Sequence, residues 1–264
     1  MIRALILGLL FSTVLGAATP AMAQETKTAA SSIRVAYYEA GYLNSGGKGI
    51  DRDVVAELAK RGGYRFEHVD QPRARIWVTL ESGELPMSVS GLQTPARDKF
   101  AYFVPYIAQK NKALVLGDKK IDADAFAADK SSRMAVVRGF KHGDYFDRLV
   151  DKVRQNGNVA EVPTIDNLFL MLESGDRVNM IISQPALYAK ALKEKGLESK
   201  VSVQDLDTQG KGVNLGLILS KAHFTPADVA KMQGIINDMK KDGTLAAIFA
   251  KYLNKQDAAE ALQF

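Results

Sequence analysis

Apolar positions along the chain follow two spacings that take turns. Ile33-Arg34-Val35-Ala36-Tyr37 reads as a strand, and a glycine-rich turn from Asn44 to Gly49 follows it. From Asp51 to Arg61 the spacing becomes helical: Val54, Val55, Leu58 and Ala59 share one face and charges take the other. Gly62-Gly63 stops that helix. Tyr64 to Val69 alternates as a strand, Ile76 to Leu80 reads as a helix ending at Ser82-Gly83, and Met87 to Ser90 is a short strand. Thr94-Pro95-Ala96-Arg97 opens a further helical turn, with proline at a tolerated first-turn position. Strands are then predicted at Met134–Val137, Val159–Val162, Met180–Ile182, Val201–Leu206 and Leu215–Leu219. Helices are predicted at Gly143–Arg154, Thr164–Glu173, Pro185–Lys195, Thr225–Lys241 and Leu245–Leu253. Such alternation predicts α/β layers with largely parallel sheets.

The first residues read as a processing segment. Met1-Ile2-Arg3 is positive, Ala4 to Ala18 is almost wholly apolar, and Ala21-Met22-Ala23 fits a signal-peptidase site. Residues 1–23 are therefore expected to be a cleaved signal peptide and 24–32 a disordered leader. The chain has no cysteine, which excludes disulfides, thiolate metal sites and lipid attachment at an N-terminal Cys. Removal of 1–23 takes away one Arg and no acid, leaving 34 basic against 30 acidic residues, or +4. No basic block stands out, so nucleic acid is not an expected partner. The three histidines, His68, His142 and His223, are scattered without metal-ligand spacing.

Three stretches in order carry a family resemblance. Gly49-Ile50-Asp51-Arg52-Asp53-Val54 is similar to a "G-f-d-v-D-l" helix opening. Leu80-Glu81-Ser82-Gly83, then Ser90-Gly91-Leu92-Gln93-Thr94-Pro95-Ala96-Arg97, then Phe103-Val104-Pro105-Tyr106, resemble "L-x-s-G … t-x-T-x-x-R … F-s-x-P-Y". Lys241-Asp242-Gly243-Thr244-Leu245 and Ile248-Phe249-Ala250-Lys251-Tyr252 resemble the matching C-terminal motif. Together they resemble the family-3 extracellular solute-binding proteins, the polar amino acid receptors of ABC importers. The resemblance implies a two-lobed α/β periplasmic-binding-protein fold (type II-like), each lobe a sheet flanked by helices, joined by two hinge strands. Lobe 1 is expected at 33–109 and 211–258, lobe 2 at 110–210, and a C-terminal tail at 259–264. It further implies a periplasmic, monomeric protein without a cofactor, delivering an anionic or zwitterionic ligand to a membrane permease.

The resemblance assigns Arg97 to the ligand carboxylate, and a planar guanidinium suits that task because it donates two parallel hydrogen bonds. Ser90 and Thr94 are expected to add donors, with a helix N-terminus at Thr94 favouring the anion. Tyr38, with Tyr42, is expected to form an aromatic wall. Arg73, beside Arg75, would suit an additional anionic group. Asp53 matches the family motif, and an acid there can also simply offset the helix dipole. In lobe 2, Phe140 and Lys141 stand where relatives carry small hydroxyl residues. Gln184 stands where relatives carry an acid for the α-amino group, with Asn179 at an earlier acid position and Pro86 at another. A neutral amide supplies no countercharge, so either another acid, Glu39 or Asp166, serves an ammonium or the ligand lacks one. Two other functions share this pattern. One is a periplasmic dehydratase using Glu173 or Glu39 as general acid; the other is a ligand-sensing module docking on a membrane receptor. No residue is assigned a catalytic role.

Overall fold

A computed structural model describes residues 32–264. The signal segment and the leader up to residue 31 lie outside the described residues. In chain order the elements are β1 (Ile33–Tyr37), α1 (Ile50–Gly62), β2 (Phe66–Asp70), α2 (Arg73–Glu81), β3 (Met87–Leu92), β4 (Ala101–Gln109) and β5 (Lys112–Leu116). Then come α3 (Ala123–Ala128), β6 (Met134–Val137), α4 (Asp144–Gln155), β7 (Val159–Val162), α5 (Ile165–Ser174), β8 (Met180–Ser183) and α6 (Pro185–Glu194). The chain closes with β9 (Val201–Gln204), β10 (Val213–Ser220), α7 (Pro226–Lys241), α8 (Thr244–Ala250) and α9 (Lys255–Ala261).

The strands form two five-stranded sheets, ordered β2-β1-β3-β10-β4 and β7-β6-β8-β5-β9. The first is covered on one face by α1, α7, α8 and α9, whose Leu58, Met232, Phe249 and Ala258 join Val35, Met87 and Leu217 in one core. Its other face packs Ile76 and Leu80 of α2 against Ala36 and Ile218. The second sheet has α4 on one face, through Phe146 and Leu149, and α5 and α6 on the other, through Phe169 and Tyr188. This is the expected two-lobed α/β architecture, a sheet in each lobe flanked by helices.

The expectation of largely parallel sheets is corrected. β1 runs parallel to β2 and β3, and β6 to β7 and β8. β10 is antiparallel to β3 and β4, and β5 to β8 and β9. These two strands enter their sheets from the other sheet, not through a crossover helix, so nothing obliges them to run parallel. β4 carries Pro105 opposite a register shift in β10 at Gly216, where a lost N–H is tolerated. A Cβ on Gly216 would overlap the Val104 carbonyl oxygen, so only glycine permits this strand approach.

Four elements escaped the sequence reading: β4, β5, α3 and α9. The residues expected to form a tail from 259 are helical to Ala261, which is buried. A buried ion pair fixes α9. Lys112 Nζ, at the start of β5, lies 2.8 Å from Asp257 Oδ1, with side-chain exposures of 4% and 3%. Tyr188 of α6 donates to Asp257 Oδ2 at 2.7 Å. The C-terminal helix is thereby tied to the second sheet where the chain crosses between sheets.

Candidate ligand-binding site

Open α/β sheets bind ligands beyond the carboxyl ends of their parallel strands. Here those edges meet. Tyr42, in the loop after β1, donates its N–H to the carbonyl of Ala186 at 2.6 Å, and Ala186 lies at the start of α6, just after β8. Gly41 makes this approach possible: its φ is +56°, and a Cβ there would overlap the Ala186 oxygen. Gln109, at the end of β4, accepts from Ala186 N at 3.1 Å.

On the first edge the fold gathers Tyr38, Arg73, Trp77 and Arg97. Tyr38 directly follows β1, Arg73 and Trp77 lie on α2, and Arg97 begins a three-residue 3-10 turn after β3. The Arg97 guanidinium lies over the Trp77 ring, 3.6 Å from its centroid. Its Nη1 donates to the Leu92 carbonyl at 2.7 Å. Arg73 stands over Tyr38, 5.4 Å from the ring centroid. Burial, and then the like charge of Arg73, push the Arg97 pKa below the usual guanidinium value. Burial raises the Tyr38 phenol. Among the described residues neither guanidinium has an ion-pair partner, so both keep charge-assisted donors available.

One expectation on this edge is corrected. Ser90 is buried, and its Oγ lies 2.8 and 2.9 Å from the two oxygens of Asp51, to which it donates. Its hydroxyl faces the core and is not offered to a ligand. Ser90 also has φ +50°, the one positive value outside glycine among the described residues. Its N–H donates to Tyr106 Oη at 3.1 Å, and Tyr106 in turn donates to Asp51 Oδ1 at 2.6 Å. Tyr38 closes the chain by donating to the Ser90 carbonyl at 3.4 Å. Asp51 is 1% exposed, and burial pushes its pKa up to about 7 against the lowering bonds from Tyr106 and Ser90. Thr94 stands at the head of a helical turn, its carbonyl accepting from Asp98 N at 3.0 Å. Its carbonyl accepts from Arg97 N at 2.9 Å and its Oγ1 stands 3.4 Å from the same nitrogen, so it shapes the tight turn that presents Arg97.

The second edge is looser. The half-buried Phe140 packs on His142 at 5.5 Å between centroids. Lys141 is solvent-exposed, 4.0 Å from Asp147. Gln184 is half-buried at the N-cap of α6 and makes no side-chain cap bond. Among the described residues no hydrogen bond, ion pair or ring contact joins these three to the Arg97 group. A cavity of about 370 Å³ lies near the crossing strands, lined by Gln109, Lys110, Asn111, Gly210, Lys211 and the start of α4; the Arg97 group does not line it.

The other named residues are committed elsewhere. Tyr42 packs on Tyr252, Asp53 accepts from Lys251 at 2.9 Å, and Glu39 accepts from Gly46 N at 3.0 Å. Glu173 pairs with Lys195 at 3.1 Å. Arg75 and Asp166 are exposed. Among the described residues there is no cluster of three or more potential metal ligands, and no helix is long and apolar enough to cross a membrane.

The family model for bacterial extracellular solute-binding proteins, family 3, matches residues 32–255. The chain belongs to that family. A curated relative, the "Probable histidine-binding protein" of Neisseria gonorrhoeae, is 24% identical over 81% of this chain and 78% of its own length. Among solved structures, an ancestral cationic amino acid solute-binding protein superposes with a TM-score of 0.66 at 20% identity, over 84% of this chain and 96% of that one. A histidine kinase sensor domain superposes with a TM-score of 0.62 at 15% identity, over 84% and 96%. These two show a shared fold. The family model is named for solute binding and the curated relative for histidine binding.

For a family-3 solute-binding protein, two parts of this edge lie outside what the sequence reading names. A helix over 76–80 gives Trp77 no part in a site, although its place four residues after Arg73 puts both on one face of α2. Asp51 enters only as part of a helix-opening motif. Its burial is not legible in Ile50-Asp51-Arg52-Asp53, where charged residues fill the first turn of α1.

Proposed function

We propose that the chain is the periplasmic substrate-binding component of an ABC importer, capturing a small carboxylate-bearing, amino-acid-like solute between its two lobes. The observation that carries this reading is the Arg97 guanidinium: laid on Trp77 at 3.6 Å, half-buried, and without an acidic partner among the described residues. Such a group recovers its lost hydration by taking a carboxylate from solution. The relative named for histidine and the fold neighbour named for cationic amino acids support an amino-acid-like ligand. Lobe 1 comprises 33–109 and 211–264, since α9 packs on its core, and lobe 2 comprises 110–210, with crossings between β4 and β5 and between β9 and β10. A ligand touching both lobes favours the closed form by its differential affinity. The chain acts as a monomer, without a cofactor, after removal of a signal segment, and docks on a membrane permease.

The test is a thermal-shift and calorimetric screen of amino acids and small carboxylic acids on the mature chain. A true ligand at 100 times its Kd stabilises by about 2.7 kcal/mol. Arg97→Ala should cost roughly 2–5 kcal/mol of binding while the far-UV spectrum stays unchanged. Unaltered affinity in that variant defeats the reading. The sensor-domain neighbour favours one alternative, ligand sensing on the same fold. A permease and an ATPase encoded beside this chain support uptake; a membrane kinase there supports sensing.

A further inference from the structure

The rim that carries Arg97 has more positive charge than a single carboxylate answers. Arg73 stands over Tyr38 and Arg97 over Trp77, and Arg73 and Trp77 share one face of α2. Four carboxylates of the same lobe are held by other groups. Asp70 pairs with Arg52 at 2.6 Å, Asp51 is enclosed by Ser90 and Tyr106, Asp98 accepts from Gln93 at 2.9 Å, and Glu39 accepts from Gly46 N. In lobe 2, Gln184 at the N-cap of α6 carries a neutral amide and Lys141 an exposed ammonium 4.0 Å from Asp147. Two guanidiniums on one rim repel each other, and a ligand with two negative charges relieves that repulsion further than a ligand with one. A second cation on the ligand would add to that repulsion.

We infer that the site takes a small dicarboxylate, one carboxylate on Arg97 and the second on Arg73, and disfavours ligands with a cationic side chain. This rests on the proposal that Arg97 captures a carboxylate, and deepens it by naming the ligand's second charge. Arg97 is the half-buried, oriented anchor, and its planar fork fits one carboxylate end-on. Arg73 is exposed at the first turn of α2, where it can swing to a second carboxylate whose position varies with chain length. Arg73 is therefore the specificity-determining residue.

The experiment uses calorimetry with matched probes on the mature chain: glutamate against glutamine, aspartate against asparagine, succinate against succinamate, and arginine as a cationic control. The expected result is that each dianion binds at least about ten times more tightly than its amide counterpart. Arg73→Gln should erase that gap, Arg73→Lys should keep most of it, and Arg97→Gln should abolish binding of every probe. Tighter binding of arginine or of the amides that still depends on Arg97 overturns the dicarboxylate inference and leaves carboxylate capture standing. An undiminished gap in folded Arg73→Gln also overturns it. No binding by any probe, or binding indifferent to Arg97, overturns both.

Discussion

Replacing Asp51 by Asn tests the buried network under the binding edge. The carboxamide is isosteric with the carboxyl group. It keeps an acceptor for Tyr106 and offers an N–H to the Ser90 hydroxyl oxygen, so the geometry survives while the titration is lost. Burial raises the Asp51 pKa from an ordinary 3.8 to about 7. Between those values the folded protein holds a proton that the unfolded chain releases, so stability falls as pH rises through this window. At about 1.4 kcal/mol per pH unit the full loss is on the order of 4 kcal/mol. His68 and His142 act with the opposite sign. Burial lowers both pKa values, so the unfolded chain binds more protons and stability rises with pH towards 6.5. The informative quantity is therefore the difference between the variant and the wild type. Urea unfolding followed by circular dichroism, at constant ionic strength over a pH series spanning the window, should show Asp51→Asn gaining on the wild type steadily up to about pH 7 and levelling above it. A difference that stays flat or shrinks with pH refutes the reasoning, because a buried carboxyl that ionises freely in the fold has no such dependence.

Two further outcomes test how the lobes are tied together. Lys112→Met leaves the Asp257 carboxylate buried with only Tyr188 and Asn254 for company; it should cost roughly 3–5 kcal/mol of unfolding free energy, and a loss below about 1 kcal/mol would show that the pair contributes little. Gly41→Ala drives a methyl into the Ala186 oxygen in a left-handed backbone. It should destabilise the protein by at least about 1–2 kcal/mol and increase the radius of gyration in X-ray scattering as the β1 loop leaves α6; unchanged scattering and stability would remove this contact from the account.

Much of the architecture was legible because amphipathic periodicity is local. α1 and α4 announce themselves by a single apolar face, and β1, β6 and β8 by short β-rich runs between turn residues. Strand direction was not legible. β5 and β10 look like other buried strands in sequence, and only their arrival from the opposite sheet makes them antiparallel. The same limit hid the role of Ser90. β3 is buried on both faces, so alternation carries no information about which side a residue addresses.

Order along the chain settles which segments become helices and strands, the family to which they add up, and that an arginine at position 97 follows a conspicuous Ser-Gly-x-x-Thr run. Those are properties of neighbours along the chain. Packing in three dimensions is what lays Arg97 on Trp77 on a rim shared with Arg73 and Tyr38, and what turns Ser90 inward to a buried carboxyl. It also brings a C-terminal helix to Lys112 from 145 residues away. Charge and hydrogen-bond capacity act through space over a few ångströms, and residues distant in sequence come within that range only once the sheets have assembled.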